Sequence, residues 1–319
     1  MAILDSLTNT PNVEQGVHTS LEELLNMRYH LKGLSLFSAN NRRSPLVGSH
    51  HSKLRGRGID FDQVRIYLPG DDIRSIDWRV TARSQQAHTK IFHEEKERPV
   101  FLLVEQTKHL FLGTGHSLKS VITAQLASLL GWAALDNNDR IGGLVFNESE
   151  QRLVRPRLSK HSLLQFIGYL QKMNAQLQLT TNANNDNQNN TLLHALKQSK
   201  EALRPGSLLF IIVDERSLTE DCLRILQSLA IHLDIVLLPV YDPLDHELPR
   251  AGLLRFAQND RELVLDTNNN KLRAAYAQQA IQRQQRWQEL AKKIMAKLLP
   301  INTELDVVEQ IKPLLMIQR

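Results

Sequence analysis

From residue 99 onward the chain alternates two hydrophobic patterns. Val100 to Val104 is apolar at every position and of strand length, and Ser117 to Leu135 then places Leu118, Val121, Ile122, Leu126, Leu129 and Leu130 at helical spacing. The alternation repeats. Ile141 to Phe146 predicts a strand, Ser162 to Leu177 and Leu192 to Leu203 two helices, Leu208 to Val213 a strand, Thr219 to about His232 a helix, and Ile235 to Val240 a strand. Thr219 suits the N-cap of its helix, with Glu220 and Asp221 at the positive end of the dipole. Strands that are apolar throughout and alternate with helices define a mostly parallel sheet covered on both faces, a doubly wound α/β domain. Beyond it, Leu253 to Phe256 and Glu262 to Leu265 predict a hairpin, and a Gln- and Lys-rich helix runs from about Asn269 to Leu298.

Upstream the patterns are shorter. A polar start of about twenty residues leads to a helix from Ser20, a capping hydroxyl followed by Glu22 and Glu23, with Leu21, Leu24, Leu25 and Arg28 at helical spacing. Asn40 to Gly58 is basic and rich in turn formers, a bent connector. Between Phe61 and Glu95, the β-rich pieces Val64 to Leu68 and Thr89 to Phe92 flank a turn at Pro69-Gly70 and predict a small strand-bearing subdomain. The expected division is therefore 1–57 (helix and connector), 58–98 (β-containing subdomain), 99–300 (α/β domain) and 301–319 (C-terminal tail). The Asn-rich tract Thr180 to Asn190 reads as a polar loop insertion.

Composition narrows the function. No apolar run reaches the roughly 18 residues of a spanning helix, and the first residues lack the order of a signal peptide, so a cytoplasmic protein is expected. The single cysteine, Cys222, excludes an intrachain disulfide and falls in a predicted helix as an inert thiol. A net charge of +5 raises nucleic acid as a partner, but bases and acids are interleaved and aromatics for stacking are scarce. Phosphate loops, dinucleotide-binding glycine motifs, nucleophile elbows and His-Glu-x-x-His pairs are all absent, which argues against an enzyme.

Ligands of open α/β sheets collect beyond the carboxyl ends of the strands. Those positions are Glu105-Gln106-Thr107-Lys108-His109 and Asp214-Glu215, with Thr191 at the start of a helix facing the same crevice. Carboxylates and hydroxyls are the oxygen ligands Mg²⁺ prefers.

One further segment is distinctive. Gly58-Ile59-Asp60-Phe61 precedes Arg65-Ile66-Tyr67-Leu68-Pro69-Gly70-Asp71-Asp72-Ile73-Arg74-Ser75-Ile76-Asp77-Trp78-Arg79-Val80-Thr81-Ala82-Arg83. This resembles the signature of the bacterial domain-of-unknown-function 58 family, a von Willebrand factor A-like group in which a Tyr-x-Pro-Gly-Asp-Asp turn leads into Arg-x-Ile-Asp-Trp and Ala-Arg. Gly113, Lys119, Asp139 to Gly142, Asp242-Pro243, Glu247 to Pro249 and Gly252 extend the resemblance over roughly residues 55 to 300. It implies a von Willebrand factor A-like fold and a partnership with a MoxR-type AAA+ ATPase, as adaptor or presenter of client proteins. Where A-type domains carry Asp-x-Ser-x-Ser in their metal-ion-dependent adhesion site, this chain has Glu105, Thr107 and His109, with Thr191 and Asp214 at the positions of the remaining ligands. The longer Glu105 and the softer His109 suit Mg²⁺ poorly and point to a vestigial site. The face carrying Glu105, Thr107, Thr191 and Asp214 is then the expected contact surface. An intact Mg²⁺-dependent adhesion module and a basic nucleic-acid-binding protein stand as alternatives.

The signature also has a physical reading of its own. Pro69 presets a turn, Gly70 permits positive φ, and Asp71 and Asp72 can cap backbone amides at the bend. Arg65, Arg74, Arg79 and Arg83 are spaced to form a charge network with Asp71, Asp72 and Asp77, with Tyr67 beside the turn and Trp78 buried at a seam between subdomain and α/β domain.

Overall fold

The computed structural model describes residues 16–31, 34–36, 60–93, 98–177, 191–258 and 261–317. The basic connector and the Asn-rich tract lie outside these residues. The chain divides into two units, one of residues 1–42 with 98–319 and a second of residues 43–97.

In the first unit, the long apolar strands predicted from the sequence form a single sheet. Its strands are β4 (Pro99–Glu105), β5 (Arg140–Phe146), β6 (Gln151–Arg157), β7 (Leu208–Asp214), β8 (Asp234–Tyr241), β11 (Lys297–Leu298) and β12 (Ile301–Asn302). The order is β11-β8-β7-β4-β5-β6, and β12 also pairs with β8. All pairings are parallel except β5 with β6. Alternate side chains of a strand face opposite sides of the sheet, so β4 feeds two cores. Val100, Leu102 and Val104 pack with α1 (Leu21–Asn26), α3 (Lys119–Asp136), α4 (Lys160–Ala175) and α9 (Val307–Ile311), whereas Phe101 and Leu103 pack with α5 (Thr191–Ser199), α6 (Glu220–Ala230) and α8 (Asn270–Ile294). Both faces are covered by helices, which makes the domain a doubly wound α/β fold.

Several local expectations hold. Ser20 caps α1 in a capping box with Glu23, and Thr219 caps α6. Cys222 is buried in α6 beside Thr219, and burial pushes its thiol up. The hairpin forms from β9 (Leu253–Gln258) and β10 (Arg261–Asp266).

Two expectations need correction. Strand β6 had no place in the hydrophobic reading, because QRLVRPR is polar at most positions and contains Pro156; it is tolerated as an edge strand, where one side of the backbone needs no partner. The segment 301–319 is not a tail. Ile301, Val307, Ile311 and Leu314 are buried in the first core, β12 extends the sheet, and β13 (Leu315–Ile317) pairs with β1 (Leu34–Leu36).

The second unit pairs β2 (Asp60–Ile66) with β3 (His88–His93) in antiparallel register. The chain between them does more than turn: after Gly70 at φ +104° it makes a short 3-10 turn over Ile73–Ser75 and then α2 (Trp78–Ser84). Helical periodicity is too short to announce α2. Its start is fixed by Asp77, whose carboxylate accepts from the amides of Arg79 and Val80.

A buried charge cluster at the strand tips

The sheet order reverses at β4, whose neighbours β5 and β7 lie on either side, so the ends of β4 and β7 flank a topological switch point. Glu105 ends β4 and Asp214 ends β7, and both are fully buried. The Glu105 carboxylate accepts from Thr107 Oγ1 at 2.5 Å, from Ser217 Oγ at 2.7 and 2.9 Å, and from the Asp214 amide at 3.0 Å. No cation reaches it within ion-pair distance among the described residues. Burial, followed by the charge of Asp214, raises its pKa from the ordinary 4.5 to about 7.

Asp214 has the opposite environment. Lys119 Nζ donates to its Oδ2 at 2.6 Å, Arg216 Nε to its Oδ1 at 2.9 Å, and Arg216 Nη2 to Oδ2 at 3.1 Å. Burial alone would raise this carboxyl, but Lys119 and Arg216 outweigh it and hold the group at about 2. Lys119 is itself fully buried and also donates to Asp245 Oδ2 at 2.8 Å. Asp245 lies in α7 (Pro243–His246), just after β8. Lys119 opens α3 at the end where the helix dipole disfavours a cation, so its place depends on these two carboxylates.

The surrounding loops are tied to the same cluster. Arg216 Nη2 donates to the His109 carbonyl at 2.9 Å, and burial with the nearby Arg216 charge lowers the His109 imidazole pKa. Asp242 accepts from the amide and hydroxyl of Thr114 and from Thr303 Oγ1, which brings the C-terminal segment into the arrangement. Glu215 receives Arg283 Nε at 2.9 Å and lies 2.7 Å from His246 Nε2.

The structure thus brings together Glu105, Thr107 and Asp214, with His109 contributing its carbonyl through Arg216. Thr191 is not among their partners; it borders a separate cavity with Asn147 to Gln151 and His194. The residues do not fit a divalent ion. Both oxygens of Asp214 are engaged by fixed cations, the Glu105 oxygens are saturated by donors, and Mg²⁺ demands an octahedral set of oxygen ligands. Sequence reasoning missed Arg216, Ser217 and Asp245, and it noted Lys119 without a role. The available signal was a lysine at the first position of an otherwise apolar helix, against the dipole preference.

These strand-tip groups are also inaccessible. Of the four residues expected to form the contact surface, Glu105, Thr107 and Asp214 are at most 1 % exposed and cannot form it, while Thr191 is half-buried and stands apart from them. The signature unit departs from expectation in the other direction. Arg65 pairs with Asp71 at 2.7 Å, Tyr67 donates to the Asp71 carbonyl at 3.2 Å, and Asp71 accepts from the Leu68 amide, so the Pro69-Gly70 turn is fixed as the motif requires. Asp72 caps the 3-10 turn, and Asp77 lies 3.7 Å from Lys90. The side chains of Arg74, Arg79 and Arg83, however, are exposed and join no ion pair among the described residues. Trp78, expected to be buried, is 68 % exposed, alongside Ile73 at 66 % and Leu68 at 56 %.

Comparison with known proteins agrees with the signature. The family model described as protein of unknown function DUF58 matches residues 63–286, and the chain belongs to this family. Among its relatives are uncharacterised proteins of Mycobacterium bovis and Mycobacterium tuberculosis, each 26 % identical over 259 residues that cover 78 % of both chains. Similar solved structures include the conserved hypothetical protein BatB from Bacteroides thetaiotaomicron (12 % identity, 68 % of this chain and 98 % of that one, TM-score 0.38). An aerotolerance-related membrane protein from Bacteroides fragilis (15 %, 68 % and 96 %, 0.42) and a von Willebrand factor type A structure from Catenulispora acidiphila (11 %, 71 % and 42 %, 0.34) also match. Among the described residues, no helix is long and apolar enough to cross a membrane.

Proposed function

We propose that this chain is a non-enzymatic protein-interaction module that works in the cytosol without a bound metal, with a MoxR-type AAA+ ATPase as its partner. The observation that carries the reading is the exposure of Trp78 beside three arginines that form no ion pair among the described residues. Tryptophan and arginine dominate the binding energy of protein interfaces, and exposed large apolar side chains such as Trp78, Ile73 and Leu68 in one short segment mark an interaction surface. Arg79 and Arg83 are four apart on α2 and so share a helix face, which favours an acidic surface on the partner.

The strand-tip cluster supports the metal-free part of the proposal. Lys119, from inside the fold, and Arg216, from the exposed side of the cluster, supply the positive charge that an A-type adhesion site takes from its ion. The site is then a permanently neutralised scaffold that holds the loops after β4, β7 and β8.

The test uses the full chain and a purified MoxR-type ATPase from the same cells, with capture measured with and without ATP. ATP-dependent capture that falls about tenfold or more in Trp78→Ala supports the reading, on the scale of an interface hot spot. No capture, or capture indifferent to Trp78 and to Arg79→Ala, overturns it.

A further inference from the structure

The opposite rim of the sheet carries a second, chemically different feature. A cavity of about 300 Å³ opens where β5 begins and β6 ends, lined by Arg140, Arg155, Pro156, Arg157, Arg204 and Glu201 among others. Among the described lining residues, four guanidinium groups stand with one carboxylate, and Arg140 has a partner elsewhere. Arg155, Arg157 and Arg204 are exposed and form no side-chain ion pair among the described residues, so their charge is not spent within the fold.

The backbone is shaped to bring them there. In a regular strand, successive side chains face opposite sides, yet Arg155, Pro156 and Arg157 are consecutive and line one cavity. The register explains this: Ile141 pairs with Arg157 and Gly143 with Val154, so β6 spends three steps against two of β5, which is a bulge. Bulges re-aim side chains at sheet edges. Gly142 makes room for it, since a Cβ there would fall 2.5 Å from the Pro156 nitrogen and 2.6 Å from the Val154 carbonyl oxygen. Arg204 enters from the turn before β7, where its backbone is pinned by Ser207.

We infer that this cavity is a binding site for a small polyanion carrying two adjacent phosphoryl groups. Guanidinium groups bind phosphate oxygens in bidentate pairs, and several converging on one concavity match a diphosphate better than a single charge. The volume is at the lower end of small-ligand sites. The site lies at the starts of β4 and β5, away from the strand tips where this fold usually binds ligands.

The test is calorimetric titration of the full chain with inorganic pyrophosphate and, in a parallel arm, with ADP, which distinguishes a free diphosphate from one carried on a nucleotide. Saturable binding to either is expected, weakened about tenfold or more in Arg157→Ala and in Arg155→Ala, as for loss of a charge-assisted bidentate contact. Glu201→Gln removes the one opposing charge and is expected to tighten binding, a gain that a damaged fold would not produce; Arg74→Ala, in the other unit, leaves affinity unchanged. Absence of saturable binding in both arms overturns the inference. So does binding that survives in Arg155→Ala and Arg157→Ala, or pyrophosphate displaced by unrelated duplex DNA with a steep salt dependence, which would make the rim a nucleic-acid surface.

Discussion

Two groups of charged residues in this molecule stand in opposite relation to water. At the strand tips, Lys119, Asp214 and Asp245 are buried and ion-paired with one another, while the buried Glu105 is met by hydroxyl and amide donors. Among the described residues of the signature unit, Arg65 and Asp71 close a tight pair, while Arg74, Arg79, Arg83 and Trp78 are exposed. Buried ions survive only when paired, because the desolvation cost of each is several kcal/mol, whereas exposed charges cost little and remain available. The difference separates what holds the domain from what can meet a partner, and it reverses the assignment that A-type analogy makes.

The comparison breaks first at Lys119. Lys119→Met leaves Asp245 without its closest cation and Asp214 with Arg216 alone, and a loss of roughly 3–5 kcal/mol is expected in denaturant unfolding. A loss under about 1 kcal/mol, the range of a surface pair, would mean that the cluster is not a buried tie.

The next largest effect is in pH. Glu105 is held at about 7 in the fold against an ordinary 4.5, so the folded state keeps this proton better than the unfolded chain does. Its contribution is complete below about pH 4.5 and is lost as pH rises through 7, amounting to roughly 3 kcal/mol by pH 8. Asp214, held at about 2, runs the other way: its contribution is present above its ordinary 3.8 and disappears as pH falls through 2. Glu105→Gln is expected to flatten the neutral part of the stability profile and to unfold at higher denaturant than the natural chain at pH 8. An unchanged slope between pH 5 and pH 8 would place the titration on another group.

At Trp78 a small effect sharpens the contrast. Trp78→Ala removes an exposed side chain and should shift stability by no more than about 0.5 kcal/mol while weakening partner capture about tenfold or more. A loss of several kcal/mol would show that this tryptophan is packed.

Much of this was legible in the sequence because the long elements are strongly patterned. Val100 to Val104, Leu208 to Val213 and Ile235 to Val240 announced buried parallel strands, and Glu105 and Asp214 were placed at their carboxyl ends from that alone. What escaped depends on tertiary neighbours. Strand β6 lacks an apolar face, α2 is defined by a cap rather than by periodicity, and 301–319 holds its few apolar residues at spacings that only the finished core explains. Asp214 read as a metal ligand because a lone carboxylate at a strand tip does not reveal that Lys119, 95 residues earlier, will neutralise it.

Whether Lys119 and Arg216 hold Asp214 in the manner a metal would is decided by titrating the protein with Mg²⁺ and Mn²⁺ in a calorimeter while following its thermal midpoint. No saturable heat and no stabilisation by either ion is expected. Saturable binding with a raised midpoint, both abolished in Asp214→Ala, would contradict it.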